Sequence, residues 1–344
     1  LARHKTFDKI RRFGHFRQNT GMNEPLSPSE HKKRLTIVVP VYFNEENLPD
    51  TIPALLKLVE QMSDIVVDLV FVDDGSGDNS FAVLRAFQQK WPQIITTVRL
   101  SRNFGSMNAI LAGLQVAEGD CVAMVAADLQ DPPELLVQMH QSWLRGNKVV
   151  LAVRAGREEK FRDRLFASMY YWLLRRFALK NFPKGGFDLW LLDRQVVEEI
   201  KKINEKNTHL SSLIVWLGHQ PAQIPYVRRR RAKGKSRWTM AKKIKLFIDS
   251  FVAFSYFPVR LVSVTGFVFA FLSFLYAAWE VVCRLWFKTP VPGFASIVIL
   301  ITFTSGLQMI MLGTLGEYLW RALDEMRKRP PYVIDAVYPR ETQP

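Results

Sequence analysis

Asp73 and Asp74 close an apolar run, and Gly75-Ser76-Gly77-Asp78 turns the chain directly after them. A carboxylate at such a strand end can accept hydrogen bonds from a nucleobase or ribose, while Asp78 is better suited to cap the next helix. Asp128 closes a later run, in Ala126-Ala127-Asp128-Leu129-Gln130-Asp131-Pro132-Pro133-Glu134. In extended chain Asp128 and Gln130 point to one side and offer two oxygen ligands to a hard divalent cation, Mg or Mn. Diphosphate oxygens and water would complete the shell. Asp131, before two prolines, reads as the cap of the next helix. Asp188, in Gly185-Gly186-Phe187-Asp188-Leu189, sits at a loop-to-strand transition, facing a channel or capping a turn. Residues 228–237 hold five Arg and two Lys. Such a run suits phosphate groups, nucleic acid, or a membrane surface; Trp238 is the one aromatic beside it, fewer than the stacking platforms a nucleic-acid reading needs.

These residues need a frame that brings loop ends together. Apolar β-rich runs at 35–42, 67–73, 95–100, 121–125 and 148–153 alternate with helical patterns at 47–62, 79–90, 106–117 and 133–145. Strands apolar on both faces, separated by helices, predict an α/β domain around a mainly parallel sheet covered on both sides. Ligands bind beyond the carboxyl ends of such strands, where the polar clusters 40–46, 73–79, 101–105 and 128–134 fall. No Gly-x-Gly-x-x-Gly follows the first strand and no Gly-x-x-x-x-Gly-Lys-Ser/Thr occurs, which argues against hydride transfer and P-loop chemistry. Residues 160–182 and 239–257 form amphipathic helical patterns, the second leading into an apolar stretch with a cationic face that suits a membrane interface.

The class is set near the other end of the chain. Residues 261–287 and 294–315 are almost continuously apolar, each near the ~20 residues that span a bilayer, and six residues link them. Lys242, Lys243, Lys245 and Arg260 precede the pair and Arg321, Arg327, Lys328 and Arg329 come after it, so both long ends are expected on the cytoplasmic side. The chain is thus read as an integral membrane protein, most simply of a bacterial-type inner membrane. Its formal charge of +15 calls for anionic partners. Cys121 and Cys283 lie far apart in apolar surroundings and offer neither a disulfide framework nor zinc spacing. The expected organisation is a basic segment at 1–34, an α/β domain at 35–232, an interfacial helix at 233–258, two membrane helices at 259–316 and a cytoplasmic tail at 317–344.

The succession Val39-Pro40-Val41-Tyr42 with Asn44-Glu45, Val72-Asp73-Asp74-Gly75-Ser76, Arg102-Asn103-Phe104-Gly105 and Asp128 to Glu134 resembles family 2 glycosyltransferases of the GT-A fold. Gly234-Lys235-Ser236-Arg237-Trp238 before a basic helix and an apolar hairpin is similar to their polyprenyl-phosphate branch, the dolichyl-phosphate mannose synthase and bactoprenol glucosyltransferase group. The resemblance implies that Pro40, Tyr42, Glu45, Asp73, Asp74 and Asn103, with Asp128, hold the nucleotide-sugar. It implies that Asp128 and Gln130 hold the metal, that Arg154, Lys235, Ser236 and Arg237 approach the acceptor phosphate, and that Asp128 and Arg237 lie nearest the chemistry. Two departures stand out. Phe43 lengthens the usual Pro-x-Tyr-Asn-Glu by one residue, so Glu45 needs a bulge or turn to take its place. Ala126 stands where many relatives have the first Asp of an Asp-x-Asp pair.

A lipid phosphate monoester is largely ionised at neutral pH, its second ionisation lying near ~6, and so needs no strong general base. The expected reaction is inverting transfer from a nucleotide-sugar, a UDP-sugar favoured, to polyprenyl phosphate, with the membrane as partner, no nucleic acid, and self-association open. The rivals are a processive polysaccharide synthase, which would carry Gln-x-x-Arg-Trp where this chain has Gly234-Lys235-Ser236-Arg237-Trp238, and a membrane scaffold that binds nucleotide-sugars without turnover.

Overall fold

The structure is a computed structural model that describes residues 32–156, 161–203, 205, 209–229, 249, 252–255, 257–287 and 293–341. β1 (Arg34–Val41), β2 (Val66–Asp73), β3 (Ile95–Leu100) and β4 (Cys121–Met124) are parallel and alternate with α1 (Leu48–Gln61), α2 (Ser80–Lys90), α3 (Ser106–Val116) and α4 (Leu135–Leu144). Next along the chain come β5 (Val149–Gly156), α5 (Phe161–Phe177), β6 (Phe187–Asp193), α6 (Arg194–Lys202), α7 (Leu210–Trp216) and β7 (Ala222–Val227). The sheet order is β7-β5-β6-β4-β1-β2-β3-β8, with β8 at Ile334–Tyr338. β6 is antiparallel to both neighbours and β8 to β3, while the other pairings are parallel. A mixed α/β fold with a mainly parallel sheet is what the alternation required.

Strand periodicity divides the core into two layers. Leu35, Ile37 and Val39 of β1 with Leu69 and Phe71 of β2 face α1, α2 and α4; Val38, Val70 and Val72 face α3. The approach of α3 depends on Gly113, where an added Cβ would lie 2.3 Å from Val38 Cγ1. The first five strands and four helices match their predicted ranges to within about three residues.

Beyond the sheet, α8 (Phe257–Val282) runs into a π-helical turn at Cys283–Phe287, and α9 spans Phe294–Met326. Two spans were expected; among the described residues one stretch, Val259–Tyr276, is long and apolar enough to cross a membrane, by length and composition, and none of it is buried in the protein. The two helices touch: the Phe269 and Phe303 rings lie 5.5 Å apart, and an added Cβ on Gly266 would meet Met311 Cε. The expected interfacial helix lies largely outside the described residues. Residues 317–344, expected as a tail, instead continue α9 to Met326 and then supply β8, which pairs with β3 from Thr97 to Leu100. The hydropathy pattern hides this strand, because its residues are only half-covered at a sheet edge.

Candidate active site

The carboxyl ends of β1, β2 and β3 carry three loops tied to one another. Val41 lies opposite Asp73 in the parallel register, and the turn that Phe43 requires is present, with Phe43 at φ 52 in the left-handed region. This lets successive N–H groups reach the next loop: Phe43 donates to Ser76 Oγ (3.1 Å), Asn44 to Ser80 Oγ (2.8 Å) and Glu45 to Asp78 Oδ2 (3.4 Å). The Glu45 carboxylate accepts from Asn79 N at 2.8 Å, and Asp78 Oδ1 accepts from Ser80 N at 3.1 Å, so the two share the start of α2. Gly75, at φ 65, brings its Cα against the backbone of Arg102 and Asn103, where any Cβ would lie within 2.8 Å of three main-chain atoms.

Asp73 and Asp74 point apart because successive residues of extended chain face opposite sides. Asp74 is buried and accepts from Phe104 N (2.7 Å), Gly105 N (2.9 Å) and Asn103 Nδ2 (3.0 Å), which fastens the loop before α3. Asp73, on the other face, accepts from Ser76 N at 3.3 and 3.4 Å. Burial pushes both carboxyls above the usual range, with the hydrogen bonds and nearby arginines pulling back. Pro40 and Tyr42 sit half-buried at the mouth of the same strands.

Two expectations for the β4 loop need correction. The strand ends at Met124, so Asp128 lies in the loop beyond it, and Leu129 at φ 52 makes a turn in place of extended chain. Asp128 Oδ1 accepts from Gln130 N at 3.2 Å, closing the turn on itself. Gln130 is tied to the chain after β7, its carbonyl accepting from Arg229 N (2.9 Å) and its Nε2 donating to Arg229 O (3.4 Å). Asp131 is no cap. Pro132 and Pro133 displace the helix start to Leu135, with Glu134 at the cap position. Asp131 is buried and accepts from the Tyr226 hydroxyl, with Arg228 Nε 3.5 Å away.

Arg154 and Arg228 complete this half of the site. The Arg154 guanidinium is nine-tenths buried and pairs with Asp188, which also faces Arg228 Nη2 at 3.4 Å. Arg154 and Tyr226 are opposite in the β5–β7 register, and burial with the adjacent Asp131 pushes the Tyr226 hydroxyl well above its ordinary value. Two guanidinium groups therefore meet two carboxylates around one phenol. Sequence reading places Arg154 near phosphate and Asp188 near a channel but misses Tyr226. The available signal is alternation: in β7 it is the one buried residue. Lys235, Ser236 and Arg237 lie outside the described residues.

The edge of the sheet thus carries an ordered series. Loops of β3, β2 and β1 form a half rich in hydrogen-bond acceptors, the Asp128 turn of β4 lies at the centre, and the arginine cluster of β5, β6 and β7 lies beyond it. Among the described residues no group of three or more His, Cys, Asp or Glu could hold a metal. The Asp128 turn fits a cation shared with a ligand's oxygens, and does not fit a closed protein cage.

Residues 36–201 match the model of glycosyl transferase family 2. The uncharacterised glycosyltransferase YkcC of Bacillus subtilis is 35% identical over 304 residues, covering 88% of this chain and 94% of that protein. The prophage-derived bactoprenol glucosyl transferase of Shigella flexneri is 35% identical over 305 residues, 88% of this chain and 97% of that protein. A prophage bactoprenol glucosyl transferase homologue of Escherichia coli is 34% identical over 308 residues, 88% of this chain and 99% of that one.

Proposed function

The chain belongs to glycosyl transferase family 2, and from that premise we propose that it transfers a hexose from a nucleotide-sugar, a UDP-sugar foremost, to the phosphate of a polyprenyl lipid. The observation that carries the reading is the reach of the similarity. The family model ends at residue 201, yet the likeness to a bactoprenol glucosyl transferase extends over 88% of the chain and so takes in apolar helix beyond that domain. On this reading α8 and α9 cross the bilayer as a hairpin with the sheet on the cytoplasmic side.

The nucleoside is assigned to the β1–β3 half, with Asp73, Pro40, Tyr42 and Glu45 around it. Asp74 and Asn103 act there by ordering the Phe104-Gly105 loop. Asp128 and Gln130 are the residues to hold a divalent cation, Mg or Mn, together with the donor diphosphate. Bound there, such a cation would neutralise charge on the leaving nucleotide. Ala126 leaves Asp128 as the single carboxylate for this task, so affinity for the ion in the absence of nucleotide should be low.

The acceptor phosphate is assigned to the Arg154–Arg228 side, with Lys235, Ser236 and Arg237 joining from the next segment. Two guanidinium groups can hold a dianion bidentately, and Asp188 keeps them fixed and opposes capture of stray anions. An acceptor placed there lies across the Asp128 turn from the donor, the arrangement that in-line attack on the anomeric carbon needs. The phosphate oxygen forms the new bond as the nucleoside diphosphate departs, and configuration inverts.

Purified full-length protein in vesicles with polyprenyl phosphate, labelled UDP- or GDP-sugars and Mg or Mn tests the reading. Labelled glycolipid of inverted anomeric configuration is expected. Nucleotide binding without any glycolipid across these donors would return the chain to a non-catalytic scaffold. Asp128→Ala should lower turnover at least a hundredfold and weaken metal-dependent UDP binding; full activity would remove Asp128 from the site.

A further inference from the structure

The chain leaves the sheet at one edge, runs through α8 and α9, and returns to the sheet at the opposite edge. β7 and β8 are the two edge strands, so about 4.8 Å per strand spacing puts departure and return roughly 33 Å apart. Both attachments lie at the same end. Arg229, just past β7, pairs with Gln130 in the turn after β4. Ile334 begins β8 opposite Leu100, the last residue of β3, and Val333 O accepts from Ser101 N at 3.0 Å. That end carries the candidate site.

The return is short and stiff. α9 stops at Met326, Lys328 turns the chain at φ 48, and Pro330 and Pro331 restrict the backbone leading into β8. Tyr332 and Ile334 then pack against the core. Beyond them the Arg85 guanidinium lies 3.5 Å over the Tyr338 ring, Arg340 N donates to Thr96 Oγ1 at 3.0 Å, and Arg340 pairs with Glu118 at 2.5 Å. On the helix side, Arg321 of α9 pairs with Asp249 at 2.6 Å and the Tyr318 hydroxyl donates to Ser255 O at 3.1 Å.

We infer that residues 327–338 anchor the β8 edge of the sheet to α9 and so hold the candidate site toward the lipid surface at a fixed height. The inference rests on the reading above that α8 and α9 are embedded in a bilayer and that the acceptor is a lipid phosphate. The Lys328 turn and the Pro330-Pro331 pair limit how far the β8 edge can swing from the end of α9. A donor arriving from solution is captured at any tilt. An acceptor confined to a surface is reached only at the tilt and height the anchor sets.

A ten-residue Gly/Ser insert between Pro331 and Tyr332 loosens the anchor while leaving β8 paired. With full-length protein in vesicles, UDP affinity and thermal midpoint should stay within twofold and two degrees of the parent, while kcat/KM for vesicle-borne polyprenyl phosphate falls tenfold or more. The loss should be smaller in detergent micelles, where enzyme and acceptor share no plane. Unchanged vesicle activity would overturn the anchor, as would a parallel loss of UDP binding, which marks β8 as ordinary structure. Should the insert not fold, Pro330→Gly with Pro331→Gly is expected to lose at least threefold in vesicles, and no loss overturns the inference. A readout without turnover separates this from the functional proposal. Energy transfer from a dye at Leu144→Cys, in a Cys283→Ser background, to a bilayer dye should report one narrow distance in the parent and a broad distribution in the insert. Identical distributions sink the anchor even if lipid transfer stands.

Discussion

Asp74 takes three hydrogen bonds from one loop, and its neutral isostere cannot accept all of them. Asp74→Asn should leave a buried N–H unpaired, cost about 1–3 kcal/mol of stability, and raise the donor KM severalfold with kcat little changed, as chemical denaturation and steady-state kinetics would record. A kcat collapse with unchanged KM would place Asp74 in the chemistry instead. Asp68, at the other end of β2, is buried with Thr36 donating to it at 3.0 Å and Arg34 3.8 Å away, and burial still outweighs these and raises its carboxyl above the ordinary value. A raised carboxyl contributes stability that is complete below the ordinary value and is lost as pH climbs through the raised one. The urea midpoint of Asp68→Asn should therefore gain on the parent as pH rises from about 4; a constant offset would show that ionisation of Asp68 costs nothing.

At the level of elements, α3 matters because its N-terminus abuts the Phe104-Gly105 loop and its body lies on β1 and β2. Gly113 permits that contact. Gly113→Val should force α3 off the sheet, cost roughly 1–3 kcal/mol through overpacking, and loosen the donor half before the arginine half. Amide exchange at 103–110 against 222–229 checks the order. The helical pair behaves differently. α9, at 33 residues, is about 50 Å long and exceeds the ~30 Å hydrocarbon core. On the proposed crossing, its last turns, with Arg321 bound to Asp249, would lie beyond the hydrocarbon on the side of the sheet.

For the whole molecule, the two cysteines report topology. Cys121 is fully buried in β4, its thiol pushed far up by burial, whereas Cys283 is half-exposed where α8 ends, at the far side of the hairpin from the sheet. A membrane-impermeant maleimide should label Cys283 from outside intact cells and leave Cys121 unreacted. Labelling of Cys283 only after the membrane is opened would mean that the hairpin does not cross.

The sequence by itself determined the parallel core of the fold and the positions of its polar loops, because strand period, turn residues and apolar length are local properties. It also located the Phe43 turn, since one extra residue between two fixed points has to be absorbed at once. Out of its reach were pairings between distant segments. β8 is only half-covered at the sheet edge and shows no strand pattern away from β3, Asp131 looks like a cap until Tyr226 comes to meet it, and nothing near Gln130 in sequence shows that Arg229 will pair with it. Each of these was decided by a partner about a hundred or more residues away, whose contribution exists only once the sheet is assembled.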